Sequence, residues 1–356
     1  KPIFAFIHIY KAAGSTIRLF FHKYGAICRK TWMVIIGCTG VKSSSIQSNG
    51  KNWNKCRVKE VVDGRRRIHD RESTENRIYP TVNGTILKEN VDIVGGHMRM
   101  GTCDSIFGSI VDEDDSANIP PVRHIVFLRD PMSRFVSGIL YQINKNGDAA
   151  KRMSEITRII KKRIRGSRKA NEYWAASLSY LLTPNQADMF INMNAESTET
   201  IHLTPEEQVA EVKAQVAIQN LFHYNAIVGM AERMTQSMEI LRHALVPDQI
   251  TSEHRKEYLE ELFEEYIPEN DEVEEDAKRS NSDTRMNASE KEGVSTASVL
   301  EELKNDGGFM PIFEEYIKYE QMITDYAWKM HLLQHEMTTL THRTMNKQTS
   351  TILNDE

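Results

Sequence analysis

The sequence predicts an α/β protein: a parallel sheet flanked by helices, with helical insertions. Short apolar runs rich in β-branched and aromatic residues, at Ile3–Ile9, Val91–Val94 and His124–Leu128, have the length and composition of buried strands. Each run ends in a polar or glycine-containing turn, and the first and third turns lead into helical apolar patterns. Strands that alternate with helices in this way are typical of a parallel sheet with crossover helices.

The first of these units, IFAFIHIYKAAGSTIRLFF from Ile3 to Phe21, has the architecture of a phosphate-binding loop. The free N–H groups and positive end of a helix N-terminus attract anions, and Lys11 adds a full charge. Ser15 and Thr16 are suited to capping the helix or to bonding phosphate oxygens. The GxxxxGK[ST] pattern is absent, so the unit is P-loop-like rather than a Walker A loop. For this stretch alone, an ordinary structural β–α joint is the alternative.

A second strand–turn–helix unit, RHIVFLRDPMSRFVSGILY, runs from Arg123 to Tyr141. Arg129 follows the strand directly, and the carboxyl ends of strands are where ligands bind in open α/β sheets. Pro131 suits the first turn of the helix. Ser133 and Ser137 are four residues apart, so we expect both hydroxyls on one helix face.

The apolar run at Val91–Val94 ends in two glycines and His97. Glycine permits close approach of the backbone to a ligand. A histidine at the carboxyl edge of a strand, beside a cleft, is a candidate general base. A structural histidine is the alternative for this residue taken alone.

Four segments together resemble the Golgi carbohydrate sulfotransferases. FIHIYKAAGST resembles their 5′-phosphosulfate loop, and FLRDPMSRFVSGILY resembles their 3′-phosphate motif. YNAIVGMAERMTQSMEIL, from Tyr224 to Leu241, is similar to their VGxxExxxxSLxLL segment, although taken alone it is simply another β–α unit. Asp325, Tyr326 and Ala327 resemble the D-x-LY-x-A ending of the family. The likeness is greatest to the heparan sulfate 2-O- and 6-O-sulfotransferases.

This resemblance implies transfer of a sulfuryl group from 3′-phosphoadenylyl sulfate (PAPS) to a hydroxyl of a carbohydrate acceptor, without a metal. Lys11 would stabilise the leaving phosphate, His97 would act as general base, and Arg99 would contact an acidic sugar. Arg129 and Ser137 would hold the 3′-phosphate, which separates this donor from ordinary nucleotides. The full set of donor-binding residues expected is Lys11, Ala12, Ala13, Gly14, Ser15, Thr16, Arg129 and Ser137.

Two positions in the first motif depart from the family pattern. Tyr10 stands where the family usually has proline, which alters the rigidity of the loop. Ala12 stands where it usually has threonine, which removes one hydroxyl from the phosphate site. Two other functions therefore remain as alternatives: a catalytically inactive glycan- or nucleotide-binding relative, and a P-loop kinase-like phosphotransferase.

Charge and length narrow the class of protein. The chain has 356 residues and a net charge of −5, from 45 basic and 50 acidic residues, which argues against a general nucleic-acid binder. We expect one sulfotransferase domain over residues 1–342, with a flexible loop at 268–298 and a disordered tail at 343–356. No apolar run approaches the roughly 20 residues that span a bilayer. The family context implies residence in the Golgi lumen as a glycosylated type II membrane protein, anchored by a segment preceding Lys1.

A basic amphipathic helix is predicted at Lys151–Lys169. Its cationic face has three interpretations: a solvated surface, a membrane-surface helix or a wall that binds a polyanion. The family context favours an acidic glycan acceptor.

The remaining patterns predict ordinary elements. The four cysteines allow two disulfides or free thiols. RVKEVVDGRRRIHDR (Arg57–Arg71) predicts a hairpin around its Asp-Gly turn. Further strands are expected at Thr31–Ile36 and Tyr224–Gly229, and helices at Asn171–Leu182, Pro205–Asn220, Glu232–Leu245, Glu253–Tyr266 and Met310 to about His342.

Overall fold

The computed structural model has a seven-stranded sheet at its centre. It describes residues 3–38, 56–63, 66–69, 92–103, 122–145, 152–166, 176–183, 185–187, 189–190, 205–245, 253–266 and 294–354. The strands are β1 (Ile3–Ile7), β2 (Thr31–Cys38), β3 (Cys56–Asp63), β4 (Arg66–His69), β5 (Ile93–Gly96), β6 (Val122–Leu128) and β7 (Ile227–Met230). They lie in the order β4-β3-β2-β5-β1-β6-β7.

Five neighbouring strands, from β2 to β7 across the sheet, pair in parallel. In the centre, Ala5 of β1 is in register with Val94 on one side and His124 on the other. β3 and β4 extend the sheet as an antiparallel hairpin beside β2, as the Asp-Gly turn predicted. The prediction of an α/β protein with a parallel sheet is therefore confirmed.

Nine α-helices are described. They are α1 (Gly14–Cys28), α2 (Pro131–Lys145), α3 (Met153–Gly166), α4 (Ala176–Leu181), α5 (Pro205–His223), α6 (Met234–Leu245), α7 (Glu253–Tyr266), α8 (Thr296–Lys304) and α9 (Met310–Asn354). A single 3₁₀ turn, Ala231–Arg233, joins β7 to α6.

The side chains of each strand point alternately to the two faces of the sheet, so the core has two layers, one on each face. Ala5 and Ile7 of β1 pack with α4, α5 and α9, whereas Phe6 packs on the opposite face with α1, α6 and α7. Successive side chains of a strand point to opposite faces, so one apolar run supplies both layers. A third apolar cluster lies among α2, α3, α8 and α9, around Phe135 and Phe313.

Two predicted boundaries were wrong. The helix expected to end near His342 continues to Asn354, so it includes most of the tail expected to be disordered. No glycine or proline occurs after Pro311, and nothing in this stretch breaks the helix. The last residues of the segment expected to be a flexible loop, 268–298, are helical, because Ser295 and Ser298 form a capping box that starts α8 at Thr296. Residues 267–293 lie outside the described part of the chain.

The apolar face of α3 is covered by protein. Ile156, Ile160 and Ile164 are buried against the third cluster. The interpretation of this segment as a membrane-surface helix was therefore wrong, since such a helix needs its apolar face for lipid. None of the described helices is long and apolar enough to cross a bilayer.

The structure describes the thiol state of two of the four cysteines. Cys28 and Cys103 are free thiols, so the alternative with two disulfides was wrong. Cys38 and Cys56 are register partners in the β2–β3 pair, and their side chains lie outside the described part of the structure. The sequence also contains two N-glycosylation sequons, Asn83-Gly84-Thr85 and Asn287-Ala288-Ser289, which lie outside the described residues.

Side chains of α9 bond the outer edge of the sheet at β7. Gln334 accepts a hydrogen bond from the N–H of Val228 (2.9 Å) and donates one to the carbonyl of Ala226 (2.7 Å). His331 donates from Nδ1 to the carbonyl of Val228 (2.9 Å). Edge strands expose backbone groups that invite pairing with another chain, and here a helix satisfies them.

We expect Gln334→Leu to lower the free energy of unfolding by about 2–4 kcal/mol, because it leaves two backbone groups without their hydrogen bonds. Urea denaturation at neutral pH measures this effect. Gln219→Leu, the same change at an exposed position of α5, is the matched control and should change stability by less than about 0.5 kcal/mol. Equal stabilities for the two variants would contradict the edge role of Gln334.

Candidate active site

The predicted site residues lie at the carboxyl ends of three adjacent strands. His97 follows β5, Lys11 follows β1 and Arg129 follows β6. After β1 the chain continues to β2 on one side of the sheet, and after β6 it continues to β7 on the other side. The order in which strands are added therefore reverses between β1 and β6. Ligands in open α/β sheets bind at such a switch point. The fold therefore brings together three residues that are 32 to 118 positions apart in the sequence.

The loop after β1 has an unusual backbone. Lys11 (φ 63°) and Ala13 (φ 56°) are both left-handed, which non-glycine residues rarely adopt. α1 begins at Gly14, and its N-cap residue, Ala13, makes no side-chain capping bond. A helix start of this kind leaves backbone N–H groups for an anion. The N–H of Ala12, one of the predicted phosphate donors, bonds the carbonyl of Ile9 at 3.3 Å.

Gly14 is required by close packing with His8. A Cβ at position 14 would overlap the imidazole ring of His8, which is buried. The loop can therefore pass directly over this ring only because residue 14 lacks a side chain.

Two aromatic rings surround the ammonium group of Lys11. Its Nζ lies 3.9 Å from the ring centroid of Tyr141 and 5.7 Å from that of Tyr10. Tyr10 in turn packs edge-on against Tyr141, with centroids 6.0 Å apart. Tyr10, the departure from the family pattern, is thus part of the packing that holds Lys11 against α2.

Burial, and secondly the charge of Arg129, lowers the pKa of Lys11 to about 8. Lys11 therefore stays mostly protonated at neutral pH. Two cations whose charges act on each other in a partly buried site favour binding of an anion between them.

Glu232 orients the turn that carries Arg129. Its Oε1 lies 3.6 Å from Nε of Arg129 and accepts a hydrogen bond from the N–H of Asp130 at 3.1 Å. Burial raises the pKa of Glu232, while its hydrogen bonds and Arg129 oppose that shift. Interpreting this segment as simply another β–α unit missed the contact, although the glutamate of the VGxxE pattern was its signal.

The N-terminus of α2 is capped by the protein itself. The side chain of Asp130 accepts a hydrogen bond from the N–H of Ser133 at 2.8 Å. Arg134 points into the protein and forms a buried ion pair with Glu320 on α9. Ser137, a predicted phosphate ligand, is 7% exposed on the same helix. Of the polar groups in this motif, Arg129 is placed at the strand end and Arg134 is structural.

His97 is held so that one ring nitrogen faces away from its supports. Its Nδ1 lies 3.0 Å from the carbonyl oxygen of His8 and 3.5 Å from Oη of Tyr180. A carbonyl only accepts hydrogen bonds, so Nδ1 carries the proton and Nε2 has the lone pair that a general base needs. Burial lowers the pKa of His97, and the bond to His8 opposes this.

Arg99, the predicted contact to an acidic sugar, is half-buried close to this histidine. Burial raises the pKa of Tyr180, and the positive charge of Arg99 opposes that rise, which puts Arg99 and Tyr180 in one electrostatic neighbourhood. Arg99 thus lies on the His97 side of the site.

A separate groove of about 700 Å³ lies among α2, α5 and α9. It adjoins Met132, the second residue of α2, and contains none of the predicted site residues. Its lining mixes opposite charges with apolar groups: Met132, Ile218, Glu314, Ile317, Lys318, Gln321, Met322, Asp325, Tyr326 and Lys329.

Comparison with known proteins gave no relatives. No protein-family model matches the chain, and no curated protein or solved structure matches it. Within the described residues, no group of three or more histidine, cysteine, aspartate or glutamate side chains is arranged to hold a metal ion. The fold and the site thus define an α/β protein with two cations, Lys11 and Arg129, at the carboxyl ends of its parallel strands. A histidine at the same end, His97, is held by a hydrogen bond to the carbonyl of His8.

Proposed function

We propose that this protein is a P-loop-like sulfotransferase that moves a sulfuryl group from PAPS to a hydroxyl of a carbohydrate. The observation that carries the proposal is the meeting of Lys11, Arg129 and His97 at adjacent strand ends. Two cations suit a donor with phosphates at both ends of its ribose, and a neutral imidazole suits an acceptor hydroxyl.

The donor would lie across the switch point. The uncapped start of α1, with backbone N–H groups from Ala13 to Thr16 and the hydroxyls of Ser15 and Thr16, would take the 5′-phosphate. Arg129 and Ser137 would take the 3′-phosphate. Oε1 of Glu232 lies 3.6 Å from Nε of Arg129, and this ion pair would orient the terminal nitrogens of the guanidinium for bidentate contact with a phosphate.

In the reaction, the acceptor oxygen attacks sulfur in line with the leaving phosphate oxygen. An O–S bond forms to the sugar, and the S–O bond to the 5′-phosphate breaks. The hydroxyl proton moves to Nε2 of His97, and the bonding electron pair moves to the phosphate oxygen, where the Lys11 ammonium stabilises it. The products are the sulfated sugar and 3′-phosphoadenosine 5′-phosphate. As in phosphoryl transfer, positioning and electrostatics supply most of the catalysis.

The acceptor is proposed to be an acidic glycan. Arg158, Lys162 and Arg165 are exposed on α3 at positions i, i+4 and i+7, which lie on one helix face. α3 packs on α2, the helix that carries the Tyr141 ring over Lys11: Nη1 of Arg163 donates a hydrogen bond to Oε1 of Gln142 at 2.9 Å. A row of cations at this place complements an anionic chain whose end enters the site.

The test measures transfer of radiolabelled sulfate from PAPS to desulfated heparan and chondroitin chains and to their carboxyl-reduced forms. We expect transfer to at least one carboxylated chain, with KM for the glycan rising with salt and rising about tenfold on carboxyl reduction. His97→Gln, an isosteric replacement without a base, is the matched inactive control.

Each other outcome counts against the proposal. Binding of 3′-phosphoadenosine 5′-phosphate without transfer to any chain would make the protein an inactive binding relative. Transfer of the terminal phosphate from ATP, with none from PAPS, would make it a phosphotransferase. Equal transfer to carboxylated and carboxyl-reduced chains would overturn the acidic acceptor alone.

A further inference from the structure

His8 supports the proposed base from two directions. Its backbone carbonyl accepts the Nδ1–H of His97 at 3.0 Å. Its imidazole stacks on the imidazole of His97, with ring centroids 4.2 Å apart and planes inclined by 21°. A single residue thus fixes both the tautomer and the plane of the His97 ring.

The His8 ring is itself locked in place. The ring of Phe6 also stacks with it, with centroids 6.0 Å apart and an interplanar angle of 16°. Gly14 at the start of α1 lies against its edge, where no side chain fits. His8 is 9% exposed, so its ring is largely shielded from solvent.

We propose that His8 is a positioning residue for His97: its carbonyl holds Nδ1 protonated, and its buried ring shields and orients the imidazole that takes the acceptor proton. This rests on the proposed function for its catalytic meaning, but its geometry can be tested without activity. His8 does not touch the reacting atoms in this scheme. It acts by keeping Nε2 of His97 pointed at one place.

The electrostatics agree with this role. Burial, followed by the charges of His97 and Arg18, lowers the pKa of His8 to about 3, so His8 stays neutral when His97 takes a proton. A charged neighbour at this distance would instead oppose formation of the imidazolium. Among the described residues, the titratable and charged groups that face His97 are His8 after β1, Arg18 on α1 and Tyr180 on α4, with Arg99 near Tyr180.

The first test reads the tautomer in the wild-type protein without substrates. Selective isotope labelling of the 12 histidines gives ring-nitrogen NMR signals, and His97→Gln assigns the signal of His97. We expect His97 to be protonated on Nδ1 with a pKa below its ordinary value of 6.5, since burial is the main cause of its shift. A neutral ring protonated on Nε2 would overturn the proposal, whatever the protein transfers.

The second test compares His8→Phe with His8→Ala. Phenylalanine keeps a flat buried ring for the stack. It should leave the pKa of His97 unchanged and kcat within about threefold of wild type. Alanine removes the ring and admits water, so the pKa of His97 should rise toward its ordinary value and kcat should fall about 10- to 100-fold. KM for PAPS should be unchanged in both variants.

Two results separate this role from a general effect on folding. If His8→Ala does not fold, His8→Phe and the wild-type tautomer still decide the proposal. If His8→Phe folds but loses as much kcat as alanine, the ring acts through something other than stacking and the proposal is wrong. If no transfer activity exists at all, the proposed function fails while the NMR result on His97 stands by itself.

Discussion

Lys11→Ala should lower kcat for sulfuryl transfer by about 10²- to 10³-fold, the loss typical of removing one group that stabilises transition-state charge. The ammonium of Lys11 lies against Tyr141 at the carboxyl end of β1, beside the uncapped start of α1. Charge builds on the leaving phosphate oxygen as the S–O bond breaks, and no uncharged side chain can offset it there. KM for PAPS should change much less than kcat.

The pH dependence of kcat/KM is a second test of the role of Lys11. Burial and Arg129 lower the pKa of Lys11 to about 8, so kcat/KM should fall as the pH rises through that value and the ammonium loses its proton. On the acid side, kcat/KM should rise as His97 loses its proton below its ordinary pKa. Lys11→Arg should keep partial activity and lose the alkaline decline, because arginine stays charged.

Lys23→Ala is the matched control, since Lys23 lies on the surface of α1 and pairs with Glu265. Its kcat should stay within about threefold of wild type. If Lys11→Ala turned over as fast as this control, Lys11 would have no part in the reaction.

The parts of the fold that could be predicted are those coded by contiguous residues. The apolar run of β1 and the Asp-Gly turn between β3 and β4 are local patterns. The gathering of Lys11, His97 and Arg129 also followed, because each lies within four residues of the carboxyl end of a strand and parallel strands end at one edge. The continuation of α9 to Asn354 was missed, although it could have been predicted from the sequence, since no glycine or proline follows Pro311.

The parts that could not be predicted depend on contacts between distant residues. Glu232 reaches the N–H of Asp130 across 102 positions, and Gln334 reaches Val228 across 106. The stack of His8 on His97 needs the register of β1 with β5, which no local pattern fixes. The sequence predicted only that Tyr10 alters the rigidity of the loop, because its packing partner, Tyr141, lies on α2, 131 positions further along the chain. Side-chain partners of this kind follow from the packed fold.

The largest expected effect on stability is at Arg134 and Glu320, which join α2 to α9. Nη2 of Arg134 lies 2.6 Å from Oε1 of Glu320, and the two side chains are only 3% and 6% exposed. Removing one member of a buried ion pair leaves the other charge without compensation, which costs about 3–5 kcal/mol. We therefore expect Arg134→Met and Glu320→Leu each to lower the free energy of unfolding by that amount.

Changing both residues should behave differently. In Arg134→Met/Glu320→Leu neither charge of this pair remains, and apolar side chains of similar size take the place of the two charged ones between α2 and α9. The double variant should lie within about 1 kcal/mol of wild type or above it, because desolvation of the pair offsets most of its attraction. Arg158→Met, an exposed arginine on α3, is the control and should change stability by less than about 0.5 kcal/mol.

Measuring sulfuryl transfer by these variants then distinguishes a structural role of Arg134 from a role in binding the donor. Arg134 occupies the second arginine position of the FLRDPMSRFVSGILY motif, where a phosphate contact is an obvious alternative. If its work is structural, the double variant should recover both stability and KM for PAPS, because Arg129 and the turn that carries it remain. A double variant that is as stable as wild type but has lost affinity for PAPS would place Arg134 among the donor ligands and contradict its purely structural role.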